Sequence, residues 1–86
     1  MYNLIKNHIS KLTIQDVNSF AVKKNCYLSN QELTFTYNFI VNNWENIIKK
    51  PNSFNIDLYK DNYSQENFIK IKKIYQEYFD KFKDLL

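Results

Sequence analysis

Four groups of residues in this 86-residue chain are of types that could do chemistry: one histidine, one cysteine, a spaced pair of aspartates and a set of lysines. His8 alone has an unperturbed pKa near neutrality. As a catalyst it needs a nucleophile or an orienting carboxylate beside it. As a metal ligand it needs further donors, and the chain has no second histidine. It falls inside an apolar helical arc, which reads as a packed or capping histidine. Cys26, in Asn25-Cys26-Tyr27, stands three residues before a helix start. A reactive thiol needs a lowered pKa, commonly at a helix N-terminus or beside a base. A buried small hydrophobe is the simpler account of it. Asp57 and Asp61 lack the glycine and the additional oxygen ligands of a calcium loop, so they read as a solvated turn.

The lysines cluster as Lys23 and Lys24, Lys49 and Lys50, and Lys70, Lys72 and Lys73. Lysine can meet phosphate as a point charge. Base reading in the major groove leans on bidentate arginine, which is absent. The second and third helical segments could be drawn as a helix-turn-helix. The linker from Asn25 to Asn30 is long for that motif, and the would-be recognition helix opens Asn30-Gln31-Glu32 with no lysine. A net charge of +3 is low for a polyanion binder. Nucleic-acid contact through these seven lysines is therefore the second reading.

Composition narrows the field further. With no glycine there is no phosphate-cradling loop and no dinucleotide fingerprint. One cysteine excludes an internal disulfide and a cysteine-built zinc site. No apolar run approaches the length of a membrane span. The opening MYNLIKNHISKL interrupts its apolar residues with Asn, Lys and His, unlike a secretory leader. These features predict one cytoplasmic domain over residues 1–86, with no catalytic, cofactor or metal residue assigned. Hydrophobic residues are 44% and aromatics 17% of the chain, enough for a small core.

The positioning elements follow from period and caps. A first helix spans about Tyr2 to Lys11, with Met1, Leu4, Ile5, Ile9 and Leu12 on one arc. Thr13 with Asp16 opens a second, an incomplete version of a capping box. Ile14, Val17, Phe20 and Ala21 share its face, and Asn25 takes the left-handed ending usually given to glycine. Ser29-Asn30-Gln31-Glu32 is a full capping box and the strongest local signal. The helix it opens runs to about Lys50, before Pro51. Its main stripe is Leu33, Tyr37, Ile40, Val41, Trp44, Ile47 and Ile48. Phe35 and Phe39 form a second ridge, which places this helix centrally or leaves an exposed aromatic patch.

Residues 52–62 form a connector too apolar to hang free, with Phe54, Ile56, Leu58 and Tyr59 packing and Asp57 capping a short turn. Ser64 caps the last helix, about Gln65 to Leu86, with Phe68, Ile71, Tyr75, Tyr78, Phe82 and Leu85 on one face. Glu66 with Lys70, and Glu77 with Lys81, make favourable i,i+4 pairs.

The series Ile5-x-x-x-Ile9-x-x-Leu12-Thr13, Asp16-Val17-x-x-Phe20-Ala21 and Leu28-Ser29-x-Gln31-Glu32 resembles a small family of unknown function from low-GC Gram-positive bacteria. Ile74-Tyr75-x-x-Tyr78-Phe79 resembles that family's last helix. The resemblance implies a short all-helical bacterial cytoplasmic protein and carries over no catalytic residue.

Together these readings predict an all-α fold, a small bundle of four main helices with a packed connector between the third and fourth. The leading functional expectation is a non-enzymatic protein–protein interaction module, with a homodimer as one form. Phe35, Phe39, Tyr75, Tyr78 and Phe82 are its expected partner surface, because surplus aromatics are enriched at interfaces.

Overall fold

The computed structural model describes the backbone of residues 2–50 and 54–83 and the side chains of residues 3–50 and 54–77. The protein is all-α, and no strand occurs among the described residues. Its elements are α1 (Tyr2–Ser10), α2 (Ile14–Lys23), α3 (Asn30–Lys49), a 3₁₀ segment (Ile56–Asn62) and α4 (Gln65–Lys83).

The helix boundaries are set by local hydrogen bonds. Thr13 and Asp16 make a complete reciprocal box at the start of α2. The Asp16 amide donates to Thr13 Oγ1 at 3.1 Å, and the Thr13 amide donates to Asp16 Oδ2 at 3.0 Å. The shorter acid thus does the work of Glu, correcting the expectation of an incomplete box. At the far end of α2, Asn25 takes φ 60°. Its amide bonds to the Val22 carbonyl, and the Cys26 amide bonds to the Ala21 carbonyl at 2.8 Å. That is the double-bonded left-handed helix ending, with the apolar residue after it folded back onto the helix. It carries Cys26 into the core beside Ala21.

α3 is the central element. One of its sides meets the α1–α2 region: α2 packs on it, and the Tyr37 hydroxyl donates to the Leu12 carbonyl at 3.3 Å. On the other side its Phe35 and Phe39 meet Phe54, Tyr59, Tyr63 and Tyr75 from the connector, the 3₁₀ segment and α4. The deepest cluster is Ala21, Cys26, Ile56, Tyr63 and Ile71, drawn from four separate stretches of chain.

Burial inverts the expected hierarchy along α3. The main stripe, Leu33, Tyr37, Ile40, Trp44, Ile47 and Ile48, is only half-buried, and Val41 is exposed. The buried positions are Glu32, Thr36 and Phe39. Phe39 is 7% exposed, so its place in an expected partner surface is corrected: it is core. Phe35 and Tyr75 are half-buried and packed against that core, which removes them as a free aromatic patch. Tyr78 and Phe82 lie outside the described side chains.

The connector packs as expected through Ile56, Phe54 and Tyr59, but Leu58 is 75% exposed. The 3₁₀ turn is capped by Asn55, whose Oδ1 accepts from the Asp57 amide at 3.0 Å, and not by Asp57. On α4, Ser64 is the cap, accepting from the Asn67 amide at 3.1 Å.

Candidate functional site

The one concentration of buried polar chemistry among the described side chains is centred on Glu32. Its position follows from the capping box. Ser29 Oγ accepts from the Glu32 amide at 3.1 Å, and Glu32 Oε1 accepts from the Ser29 amide at 2.8 Å. The box leaves Oε2 unspent. That oxygen accepts from the Ser64 amide, the cap residue of α4, at 2.7 Å. Asn67 Nδ2 donates to Oε1 at 2.8 Å and to the Tyr27 carbonyl at 3.0 Å. One carboxylate therefore sits on the amino ends of α3 and α4 together, where both helix dipoles favour negative charge. One turn further along α3, Thr36 Oγ1 bonds to the Glu32 carbonyl at 2.7 Å and lies 2.6 Å from the Tyr63 hydroxyl.

The electrostatics follow. Burial of Glu32 alone would raise its pKa. The hydrogen bonds from the Ser29 and Ser64 amides and from Asn67 outweigh burial and hold the carboxyl below its ordinary 4.5. Tyr63 is pushed up to about 12, first by burial, against the lowering effect of its Thr36 bond, with Glu32 and Cys26 adding to the rise. Cys26 is fully buried, its Sγ 3.9 Å from Asn67 Oδ1. Burial pushes its thiol up, with Lys70 opposing and Glu32 reinforcing. A thiol raised and enclosed in this way is the reverse of an activated nucleophile, in keeping with the buried small hydrophobe read from its sequence setting.

The remaining sequence candidates lie apart from this centre. His8 is exposed in the last turn of α1, while Ile5 and Ile9 are half-buried; this corrects the packed alternative and leaves the capping one, a cation at the helix's carboxyl end. Asp61 is exposed; with Lys60, Tyr63, Gln65 and Phe68 it lines an open depression that contains neither His8 nor Cys26. Among the described residues, no group of three or more His, Cys, Asp or Glu could hold a metal ion, and no helix is long and apolar enough to cross a membrane.

Several of the lysines expected to meet phosphate are engaged within the fold. Lys24 pairs with Glu77 at 3.2 Å, across the chain from α2 to α4; the expected partner Lys81 lies outside the described side chains. Lys72 pairs with Asp57 at 2.9 Å. Lys70 pairs with Glu66, as the spacing predicts, and also donates to the Asn25 carbonyl at 2.8 Å, holding the left-handed turn. Lys49 pairs with Glu45 at 3.7 Å. Lys23, Lys50 and Lys73 are exposed.

Sequence reasoning found the Ser29–Glu32 box and missed what its second oxygen does. It also missed Asn67, Thr36 and Tyr63 as partners. A signal existed for Asn67: it stands three residues after the cap Ser64, the position from which a side chain can reach back. Neither a protein-family model, nor a curated protein, nor a solved structure matches this chain.

Proposed function

We propose that the chain is a non-enzymatic protein–protein interaction module, a single four-helix bundle over residues 1–86 that acts in the cytoplasm and belongs with the small bacterial helical proteins its sequence resembles. The observation that carries this reading is the apolar surface left over once the core is filled. Leu58 is 75% and Leu4 67% exposed, and Tyr27 and Ile69 are nearly as open. Leu58 is the most telling of these. It belongs to a short 3₁₀ segment whose Ile56 and Tyr59 are packed inward, and it alone of the segment's apolar residues is left to the surface. The half-covered stripe of α3, from Leu33 to Ile48, adds further apolar area near the surface. Exposed large apolar and aromatic side chains are common anchors of protein interfaces.

Sedimentation equilibrium over a wide concentration range tests the reading. The expected result is a mass above the 10.5 kDa of one chain, falling toward it in Leu58→Ser and Leu4→Ser variants. A strict monomer at every concentration, paired with no specific protein captured by wild type and lost by those variants, overturns it. The phosphate-binding alternative is weaker because Lys24, Lys70 and Lys72 are already committed to Glu77, Asn25 and Asp57. A steep fall of nucleic-acid affinity with added salt would revive it.

A further inference from the structure

We propose that Glu32 is a proton-operated latch, whose protonation releases the amino end of α4 from α3 and uncovers Cys26 while the rest of the chain stays folded. The geometry carries this. The Glu32 carboxylate accepts from the caps of both helices and from Asn67, and Asn67 in turn ties α4 to the Tyr27 carbonyl. The first turn of α4 is thus joined to the α2–α3 region through one ionised group and one amide. A protonated carboxyl loses its charge and gives one oxygen over to a proton, so it no longer satisfies the Ser29 and Ser64 amides and Asn67 together.

The titratable groups facing Glu32 do not compete for that proton. Tyr63, from the junction of the 3₁₀ segment and α4, and Cys26, from the turn after α2, both stay neutral through the acid range. Lys70, on α4, acts on Cys26 and is paired with Glu66 and the Asn25 carbonyl. At this junction the proton therefore goes to Glu32; the Glu77 and Asp57 carboxylates, paired with Lys24 and Lys72, are exposed, and the Glu32→Gln variant below separates their effect. Its folded-state pKa is depressed, so the docking it provides is complete above the ordinary value of 4.5 and is lost as pH falls below that value.

Cys26 is the built-in reporter. It is enclosed by Asn67 and shares its core cluster with Ile71, both on α4. Trp44, half-buried at the opposite, carboxyl-terminal half of α3, reports on the remaining fold. The test is labelling of Cys26 in the full chain with a pyridyl disulfide that stays reactive in acid. Each rate is divided by that of the urea-unfolded chain at the same pH, with Trp44 emission recorded in parallel. The expected result is a rise of up to about tenfold in the normalised rate between about pH 7 and pH 3.5 while Trp44 emission stays native. In Glu32→Gln the thiol is labelled rapidly already at neutral pH, and the pH dependence is gone. A flat wild-type rate, a rise only in step with loss of Trp44 emission, or a Glu32→Gln protein as protected as wild type overturns the latch. Should Glu32→Gln not fold, Asn67→Ala decides. It removes one donor and keeps the carboxylate, so the labelling midpoint moves toward neutral pH; an unmoved midpoint overturns the proposal.

Discussion

Along α3, one face carries Leu33, Tyr37, Ile40, Trp44 and Ile48, and the other carries Glu32, Thr36 and Phe39 with Phe35 beside them. The first face is richer in apolar residues and is half-buried. The second is mixed in character and is buried. The difference has a physical origin. On the first face, Tyr37 reaches the Leu12 carbonyl, in the loop before α2. The second meets the aromatic side chains of the connector, the 3₁₀ segment and α4, which fill space closely. Its polar members are tolerated because they are satisfied: Glu32 by Ser29, Ser64 and Asn67, Thr36 by the Glu32 carbonyl and Tyr63. Depth here follows from mutual satisfaction and aromatic volume more than from a tally of apolar positions.

The largest expected effect contrasts Phe39→Ala with Ile40→Ala. Phe39 sits 4.7 Å from the Tyr59 ring and edge-on to Tyr75. Its truncation should cost about 3–5 kcal/mol, as a buried aromatic does, enough to unfold so small a domain at 37 °C. Ile40 is half-buried and should cost clearly less, about 1–2 kcal/mol, by the area it loses. Urea midpoints of the two variants give the order, and equal losses would erase the contrast between the faces.

Next comes Glu32→Ala. Hydrogen bonds to a charged group contribute about 1.5–3 kcal/mol, and removal here strands the amides of two helices. The acid limb of the stability profile should weaken with it. Wild-type stability is fully present above pH 4.5 and falls as Glu32 is protonated below it; the variant should have lost that contribution at every pH. Thermal melts across the acid range measure this.

An alkaline limb has the opposite sign. Tyr63, raised from 10.0 to about 12, and Tyr75, raised further by its burial, hold their protons more tightly folded than unfolded. Their contribution is complete below pH 10 and is lost as pH climbs from 10 toward 12 and beyond. Thr36→Val removes the polar partner of Tyr63 and should leave that limb in place while lowering stability overall by about 1 kcal/mol.

The smallest effect runs the other way. The Tyr75 hydroxyl is buried among aromatic rings with no hydrogen-bond partner among the described residues. Tyr75→Phe should stabilise the protein by about 1 kcal/mol, since an unsatisfied buried polar group is worth removing. A loss of stability on this change would mean that the hydroxyl is satisfied after all.

The caps were the legible part of this fold. Thr13 with Asp16, Asn25, Ser29 with Glu32 and Ser64 all act locally, within a few residues, so their spacing is enough to find them. Ile71 and the connector's Ile56 were likewise placed on packed faces by their spacing. The choice of interior face on α3 was not legible, because periodicity counts apolar residues and cannot see which neighbour covers them. Phe35 and Phe39 stood out as a second ridge, yet whether a ridge is core or surface depends on residues 54–75 arriving from far along the chain. The second oxygen of Glu32 was out of reach for the same reason. A capping box is a local motif, and Ser64 is thirty-two positions away.

The shared carboxylate is tested most directly by following the Ser29 and Ser64 amide protons by NMR through an acid titration of the wild-type chain. Both amides donate to Glu32. Their resonances should therefore shift together, with one common midpoint below 4.5 that matches the Glu32 carboxyl carbon. A Ser64 amide that ignores the titration, or follows a different midpoint from Ser29, would show that the two helix ends do not share one charge.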